Sequence, residues 1–232
     1  MRKNDPSGGL RQWLERFAPA AVRRRLLLLL AGQCVLYWGA KALTRSRFHH
    51  CLALPIDGKI PLLPWTVLIY FGCFAFWAFA YAVILREESA RGKNRFFFAE
   101  LTGKLLSALC FVILPTTLNR PEIRGSGLFP WLMRFLYAVD APDALFPSLH
   151  CFVSWMCFVG LRGKPQISKA FKLTAALAAV LVFAATLTTK QHVFVDVLGG
   201  VALAELVWLA SGAAERLLRR KGEKSSKETE KE

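Results

Sequence analysis

The sequence is poor in the residues that most metal sites use. It has only four histidines, and its six cysteines are scattered without a Cys-x-x-Cys pair or another metal-ligand spacing. It also has no cluster of acidic residues suited to Mg²⁺. These absences predict a protein with no metal ion and no other cofactor, in which the cysteines are small apolar packing residues.

Negative charge is scarce too, with 16 acidic residues against 31 basic ones and a net charge of +15. Such an excess can indicate nucleic-acid binding, but its distribution argues against that class. If the N-terminus is cytoplasmic, the inner segments carry 22 Lys and Arg residues and the outer ones carry 7. This asymmetry follows the positive-inside rule. The basic residues therefore predict topology and contact with anionic membrane lipids, and no nucleic-acid partner.

Apolar residues make up 54% of the chain, and the mean hydropathy is +0.35. Most of them come in blocks of about 17 to 25 residues, the length that crosses a bilayer. The blocks predict an all-α integral membrane protein, a six-transmembrane-helix bundle with both termini cytoplasmic. The predicted spans are 26–43, 65–85, 97–116, 149–161, 171–188 and 194–213, of which the fourth is short. The first block lacks the short leader and the cleavage site of a signal peptide.

Two terminal segments flank the membrane domain, which covers residues 23–214. Residues 1–22 are predicted to be a cytoplasmic arm, in which residues 10–17 have the pattern of an amphipathic helix on a membrane surface. Residues 215–232 are charged and free of aromatic side chains, which predicts a disordered cytoplasmic tail. The sequence shows no internal repeat and no pair of broken helices, which argues against a transporter.

The outer loop over residues 117–147 is unusually long for a compact membrane domain, and such loops are often functional. Its aromatic stretch, residues 129–137, suits the membrane interface. Two interpretations remain open: a ledge or gate through which a lipid reaches the site, or an interfacial helix that only anchors the loop. Asp140 and Asp143 are expected to shape the end of this loop through local backbone hydrogen bonds.

Three ionisable residues fall inside the predicted spans. Glu100 and Lys104 are one helical turn apart near the inner end of the third span, and Glu205 lies at a similar depth in the sixth. Because intramembrane charges face partners, we expect Lys104 and Glu205 to form a structural ion pair.

Two of the four histidines stand where apolar spans begin. His192 precedes Asp196 by four residues, about one helical turn, so the carboxylate lies on the same face of the helix. A carboxylate there can hold one ring nitrogen and leave the other free to attack or to accept a proton. With six spans, His150, Arg120 and the His192–Asp196 pair all fall at the outer face, although they belong to three separate segments.

These residue types suit phosphoryl transfer. Arg120 offers a planar fork for two phosphoryl oxygens, and Ser148 adds donors together with the first N–H groups of the helix that carries His150. His192 is the candidate nucleophile, which would give a phosphohistidine, and Asp196 would orient it. Protonated His150 is the candidate acid for the leaving oxygen.

The pattern resembles the type 2 phosphatidic acid phosphatase (PAP2) superfamily, whose three motifs are roughly K-x6-R-P, P-S-G-H and S-R-x5-H-x3-D. The resemblance covers about residues 97–213, and the matching positions are Arg120-Pro121, Pro147-Ser148-Leu149-His150, and His192 with Asp196. It implies a six-helix bundle, metal-independent action on a lipid phosphate and a site that faces away from the cytoplasm. By this likeness the arginine binds phosphate, the first histidine is the acid, the second is the nucleophile and the aspartate is its partner.

Three positions depart from these motifs. Ile113 stands where the first motif has lysine, Leu149 replaces the glycine of the second, and Ala185-Thr186 replaces the Ser-Arg of the third. The changes resemble the branch that contains inositol phosphorylceramide synthases and uncharacterised bacterial members. Lys190, two residues before His192, either restores part of the lost positive charge as a phosphate-binding residue or points to lipid headgroups.

The first functional prediction is a metal-independent lipid phosphatase that hydrolyses a lipid phosphate or polyprenyl diphosphate at the outer leaflet. The alternative is a phosphotransferase that moves a phosphorylated headgroup to a lipid hydroxyl. A non-catalytic lipid-binding protein is a third hypothesis, because two phosphate-binding cations of the motifs are missing. The sequence has no organelle-targeting or retention signal, and with its compact size this favours a bacterial plasma membrane.

Overall fold

The apolar runs of the sequence fold into α-helices, which satisfy their backbone groups within one segment and therefore suit a bilayer. The computed structural model describes residues 12, 15, 17–87 and 89–229. Its helices in this part of the chain are α1 (Ala20–Thr44), α2 (Val67–Glu87), α3 (Ala90–Ile113), α4 (Leu128–Val139), α5 (Leu149–Arg162), α6 (Lys169–Thr188) and α7 (Phe194–Thr229). A short 3₁₀ helix, Pro64–Thr66, precedes α2.

Five of the described helices are long and apolar enough to cross a membrane, namely α1, α2, α3, α6 and α7. Each overlaps one of the predicted spans. The remaining predicted span is α5, which is apolar but only 14 residues long. At 1.5 Å per residue it extends about 21 Å, less than the hydrocarbon core of about 30 Å. The protein is therefore a helical membrane protein, and the sixth crossing stays a prediction.

The short helix α5 packs against α2, α3, α6 and α7. Nine of its residues are buried, so it faces protein more than it faces lipid. Glycines on the neighbouring helices allow the close approach. A Cβ on Gly103 of α3 would lie 2.1 Å from the ring of Phe152, and a Cβ on Gly200 of α7 would lie 2.5 Å from the main-chain oxygen of Ser148. The start of α5 is thereby fixed against α7.

The long outer loop contains α4, which carries the predicted aromatic stretch. Met133 and Leu136 on α4 are buried, whereas Trp131 and Phe135 are exposed and their rings stack with centroids 6.0 Å apart. An apolar helix with exposed aromatic rings is typical of the membrane interface. The two outer loops are joined by a parallel pair of short strands, β1 (His50–Cys51) and β2 (Thr116–Thr117).

The predicted ion pair between Lys104 and Glu205 is wrong. Glu205 accepts two hydrogen bonds from the Arg162 guanidinium, at 2.7 and 2.9 Å, and one from the Trp155 indole at 2.9 Å. Lys104 instead lies 3.8 Å from Glu100, one turn earlier on α3. Depth along a helix is the only guide that the sequence offers here, and depth does not fix the direction in which a side chain points around the axis.

Helix α7 continues to Thr229, so the segment expected to be disordered is helical over residues 215–229. Its Lys, Arg and Glu residues are favourable helix formers, and the helix extends from the last apolar block without a break. The predicted amphipathic piece of the arm, residues 10–17, lies mostly outside the described residues.

Replacing Gly200 with alanine is expected to destabilise the bundle. The added methyl group would press on the backbone of Ser148, which cannot move aside as a flexible side chain would, and such overpacking costs about 1–3 kcal/mol. The measurement is the melting temperature of the purified protein in detergent. Gly72→Ala in α2 is the matched control, because a Cβ there meets no atom within 4 Å. Equal melting temperatures for the two variants would contradict the close contact between α5 and α7.

Candidate active site

His192 and Asp196 meet at the start of α7. The ring nitrogen Nδ1 of His192 lies 3.2 Å from Oδ2 of Asp196, which also accepts the backbone N–H of Val193 at 3.0 Å. A carboxylate only accepts hydrogen bonds, so the hydrogen of the imidazole lies on Nδ1 and the lone pair on Nε2. Asp196 is fully buried. The pair therefore presents an oriented imidazole, and the predicted nucleophile is its Nε2 atom.

His150, the second residue of α5, faces this pair. The rings of His150 and His192 have centroids 5.7 Å apart. Aromatic side chains of α2 surround His150 on its other side, with the Tyr70 ring at 4.5 Å and the Trp77 ring at 5.5 Å. One phosphoryl group can therefore contact both histidines.

Ser148 sets the position of His150. Its backbone N–H donates to the main-chain oxygen of Asp196 at 3.0 Å, which ties the first turn of α5 to the first turn of α7. Its hydroxyl oxygen accepts the N–H of Cys151 and so caps α5. Ser148 is fully buried and lines neither of the cavities described below, so the structure supports its role in capping α5 and not its predicted contact with phosphate.

Arg120 approaches the site from the segment after β2. Its guanidinium donates to the main-chain oxygen of Asp140 at 2.6 Å and to Oε1 of Gln191, and it lies 4.7 Å above the Tyr137 ring. Tyr137 in turn donates to the main-chain oxygen of Thr189 at 3.0 Å. Burial lowers the pKa of Arg120, opposed by the nearby Asp140 carboxylate, but a guanidinium stays charged. A half-buried cation is thereby held beside the residues that precede His192.

The side chain of Lys190 is bound to the first outer loop. Its ammonium donates to the main-chain oxygens of Asp57 at 3.1 Å and Ile60 at 2.6 Å. The Asp57 carboxylate accepts the backbone N–H of Phe194 at 2.7 Å and so caps α7 from a remote segment. Sequence reasoning missed Asp57, Gln191 and Tyr137. The only signal for the first is an Asp-Gly pair, which is typical of any turn.

The expected role of Asp140 and Asp143 in local backbone hydrogen bonding is wrong, because their carboxylates bind distant side chains. Asp140 accepts hydrogen bonds from Tyr37 at 2.8 Å and from Tyr70 at 3.4 Å. Lys41 of α1 forms an ion pair with Asp143 and lies 3.7 Å from Asp140. The lysine is nearly buried, so its charge draws both carboxylates towards α1.

Two cavities meet at His192. The first, of about 290 Å³, is mainly apolar and is lined by Trp38, Tyr70, Phe74, Leu149, His150 and His192 among others. Trp38 and Phe74 are also exposed on the outer surface of the bundle, so this cavity opens sideways between α1 and α2. The second, of about 500 Å³, is lined by Asp57, Asn119, Arg120, Lys190 and His192 among others. His192 thus contacts an apolar space on one side and a polar one on the other.

Comparison with known families supports the resemblance given by the motifs. Residues 129–210 match the model of the PAP2 superfamily, a range that includes both histidines and Asp196. No curated protein and no solved structure matches the chain. The matched range begins in α4 and ends within α7, and it includes the starts of α5 and α7, where the two histidines meet. This match supports membership of the PAP2 superfamily.

Proposed function

We propose that this protein is a metal-independent membrane lipid phosphatase that acts through a phosphohistidine on His192. Membership of the PAP2 superfamily indicates phosphatase-type activity. The observation that carries the specific proposal is the oriented His192–Asp196 pair facing His150 at 5.7 Å. The preferred substrate class is a lipid phosphate or polyprenyl diphosphate in the outer leaflet.

The first chemical step forms a bond between Nε2 of His192 and phosphorus. The bond from phosphorus to the lipid oxygen breaks, and that oxygen takes a proton from His150. Asp196 stabilises the positive charge that develops on the imidazole of His192, and Arg120 stabilises the negative charge on the phosphoryl oxygens. Acid catalysis of this kind contributes about 10²–10⁴-fold.

The second step releases the phosphoryl group. A water oxygen attacks phosphorus, the bond to His192 breaks, and the proton of the water passes to His150, which restores the acid. A lipid alcohol in place of water would give headgroup transfer. The apolar cavity that ends at His192 favours this second candidate, because a lipid hydroxyl can reach phosphorus through it.

The proposed membrane placement has six crossings, with both termini in the cytoplasm and the site at the outer leaflet. The charge asymmetry of the sequence supports it, as does the burial of α5 among longer helices. Tyr37 and Trp38 of α1 and Leu136 and Val139 of α4 line the apolar cavity at this face. A lipid can therefore enter sideways while its headgroup stays in the polar cavity.

Alanine at His192 is expected to abolish turnover, and alanine at His150 to lower kcat by about 10²–10⁴-fold. The measurement is phosphate released from a panel of lipid phosphates in detergent, with and without EDTA. His49→Ala is the matched control, because His49 lies on the outer loop away from the site. Equal phosphate release by His192→Ala and the wild type would contradict the assignment of His192 as the nucleophile. Loss of phosphate release by the wild type in EDTA would contradict metal independence.

The same preparation separates hydrolysis from transfer. A phospholipid donor is added together with diacylglycerol or ceramide, and any new lipids are identified by their mass. A new phospholipid that His192→Ala fails to make would favour transfer, whereas free phosphate alone would favour hydrolysis.

The outward orientation predicts that Cys51 reacts with a membrane-impermeant maleimide in intact cells. Cys51 is exposed on β1, whereas Cys73, Cys151 and Cys157 are buried. Cys34 is also exposed and Cys110 is partly exposed, but both lie within predicted membrane spans, where lipid excludes a membrane-impermeant reagent. Cys51→Ser should remove the label. In that background Gly163→Cys, at the opposite end of α5, should react only after the cells are permeabilised. Labelling of Gly163→Cys in intact cells would contradict the proposed orientation of the protein in the membrane.

Lys190→Met is expected to lower the free energy of unfolding by about 2 kcal/mol, because two hydrogen bonds from a charged donor are lost. If the ammonium mainly clamps the loop, kcat falls and KM changes little. Thermal unfolding and steady-state kinetics are measured together, with the exposed Lys59→Met of the same loop as control. A tenfold rise in KM at unchanged stability would instead assign Lys190 to phosphate binding.

A further inference from the structure

Gln191 has an unsatisfied amide beside the nucleophile. Its Oε1 accepts a hydrogen bond from Arg120. Since a guanidinium only donates, the oxygen of the amide must face Arg120 and the NH₂ group must face away from it. Nε2 has no hydrogen-bond partner among the described residues, and the side chain is almost fully buried. The same side chain lines the apolar cavity together with His150 and His192.

A buried hydrogen-bond donor without an acceptor destabilises the folded protein, so a bound ligand is expected to supply the missing acceptor. Nε of Arg120 is also buried and has no hydrogen-bond partner in the described part of the chain. Two linked side chains therefore hold spare donors next to His192. A phosphoryl group, which carries several acceptor oxygens, satisfies both.

The formal charges that line the two cavities cancel. Asp57 and Asp140 are acidic, and Arg120 and Lys190 are basic. The Lys190 ammonium is already bonded to loop carbonyls, and Lys41, outside the cavities, pairs with the carboxylates at the end of α4. When His150 is protonated as the acid, its charge is offset by the buried carboxylate of Asp196. One guanidinium and one neutral amide are left to hold the phosphoryl oxygens.

We infer that Gln191 stands in for the arginine that the third motif lacks here, and that the site binds a phosphoryl group bearing a single negative charge. This inference rests on the proposed phosphohistidine chemistry, and it replaces the phosphomonoester and diphosphate substrates of the first candidate with a phosphodiester. A phosphodiester carries one charge at every physiological pH. A phosphomonoester carries one only below its second pKa, about 6, and a diphosphate carries more. The favoured substrate is therefore a phosphodiester lipid.

With such a substrate the first step keeps the same balance of bonds. Nε2 of His192 bonds to phosphorus, one ester bond breaks, and the leaving alcohol takes the proton of His150. The phosphohistidine retains the second alcohol as an ester and so remains singly charged. Gln191 and Arg120 then contact the same two oxygens throughout the reaction.

The test compares phosphatidylmethanol with phosphatidic acid of the same acyl chains, which differ by one methyl group and by one charge at pH 8. Binding in detergent and turnover are both measured from pH 5 to pH 8.5. We expect the diester to bind about tenfold tighter at pH 8 and the two lipids to bind equally near pH 5.

The titratable and charged groups that face the site are the same for both lipids, so the two lipids are compared with each other at each pH. Those groups are Tyr37 and Lys41 of α1, Tyr70 of α2, Arg120, Asp140 after α4, His150 of α5, His192 and Asp196 at α7, and Asp57 with Lys190.

Gln191→Arg is expected to abolish or reverse the preference at pH 8, because a second cation accommodates the second charge. Gln191→Leu should weaken the binding of both lipids about tenfold, since one hydrogen-bond donor to the phosphoryl group is lost. Arg124→Gln is the control for general electrostatics, because this arginine on the outer loop is 89% exposed. Melting temperatures show that each variant is folded.

Equal binding of the two lipids by the wild type at pH 8 would overturn the inference, as would a folded Gln191→Arg variant with an unchanged ratio. If Gln191→Arg does not fold, the inference is still tested by the ratio of the two lipid affinities in the wild type and by lipid binding to Gln191→Leu. Preferential binding of the diester without any turnover would refute the proposed enzyme and leave the charge preference standing.

Discussion

Asp196 is the residue on which the site depends, because it holds both catalytic helices at once. Its carboxylate fixes the ring of His192 and the N–H of Val193, and its main-chain oxygen accepts the N–H of Ser148. The distance between His150 and His192 is therefore set by contacts within the first turns of α5 and α7. Gly200 contributes to the same junction, since any side chain there would meet the backbone of Ser148. Under the proposed mechanism, a carboxylate so placed acts both in catalysis and in packing.

The segments before the two helices that carry the histidines are held by polar contacts as well as by apolar burial, since Ala144, Leu145 and Val193 belong to buried apolar clusters. Among the described residues, Ala144 and Lys190 are the non-glycine positions with left-handed backbone, each with φ near 55°. Such a conformation costs free energy for most residues, so surrounding contacts must hold it. Lys190 is held by the carbonyls of Asp57 and Ile60. Beside Ala144, the ion pair between Asp143 and Lys41 has the same effect. The bundle supplies rigid helices, and the outer loops set the direction in which the histidines point.

Helical periodicity made part of this site predictable from the sequence. A spacing of four residues brings His192 and Asp196 onto one face of any helix that contains them, and apolar blocks predicted the positions of five helices. The ends were less accurate, since α1 and α3 begin 6 and 7 residues before their predicted spans and α7 ends 16 residues after its span. Contacts between distant segments were not predictable in the same way. Asp57 and Lys190 are separated by 133 residues, and no local pattern shows which carbonyl a flexible ammonium reaches. The failed pairing of Lys104 has the same cause, because the direction of a long side chain is decided by tertiary packing.

Under the proposed mechanism, the fate of the phosphohistidine is decided by what occupies the two cavities. A phosphoryl group on His192 faces the polar cavity, where water enters, and the apolar cavity, where a lipid hydroxyl can lie. His150 serves either nucleophile, since it only accepts the proton that water or alcohol releases. The neutral amide of Gln191 likewise contacts phosphoryl oxygens and not the attacking group. Hydrolysis and transfer then share every catalytic residue, and a bound lipid favours transfer by filling the apolar cavity and raising the local concentration of hydroxyl at phosphorus.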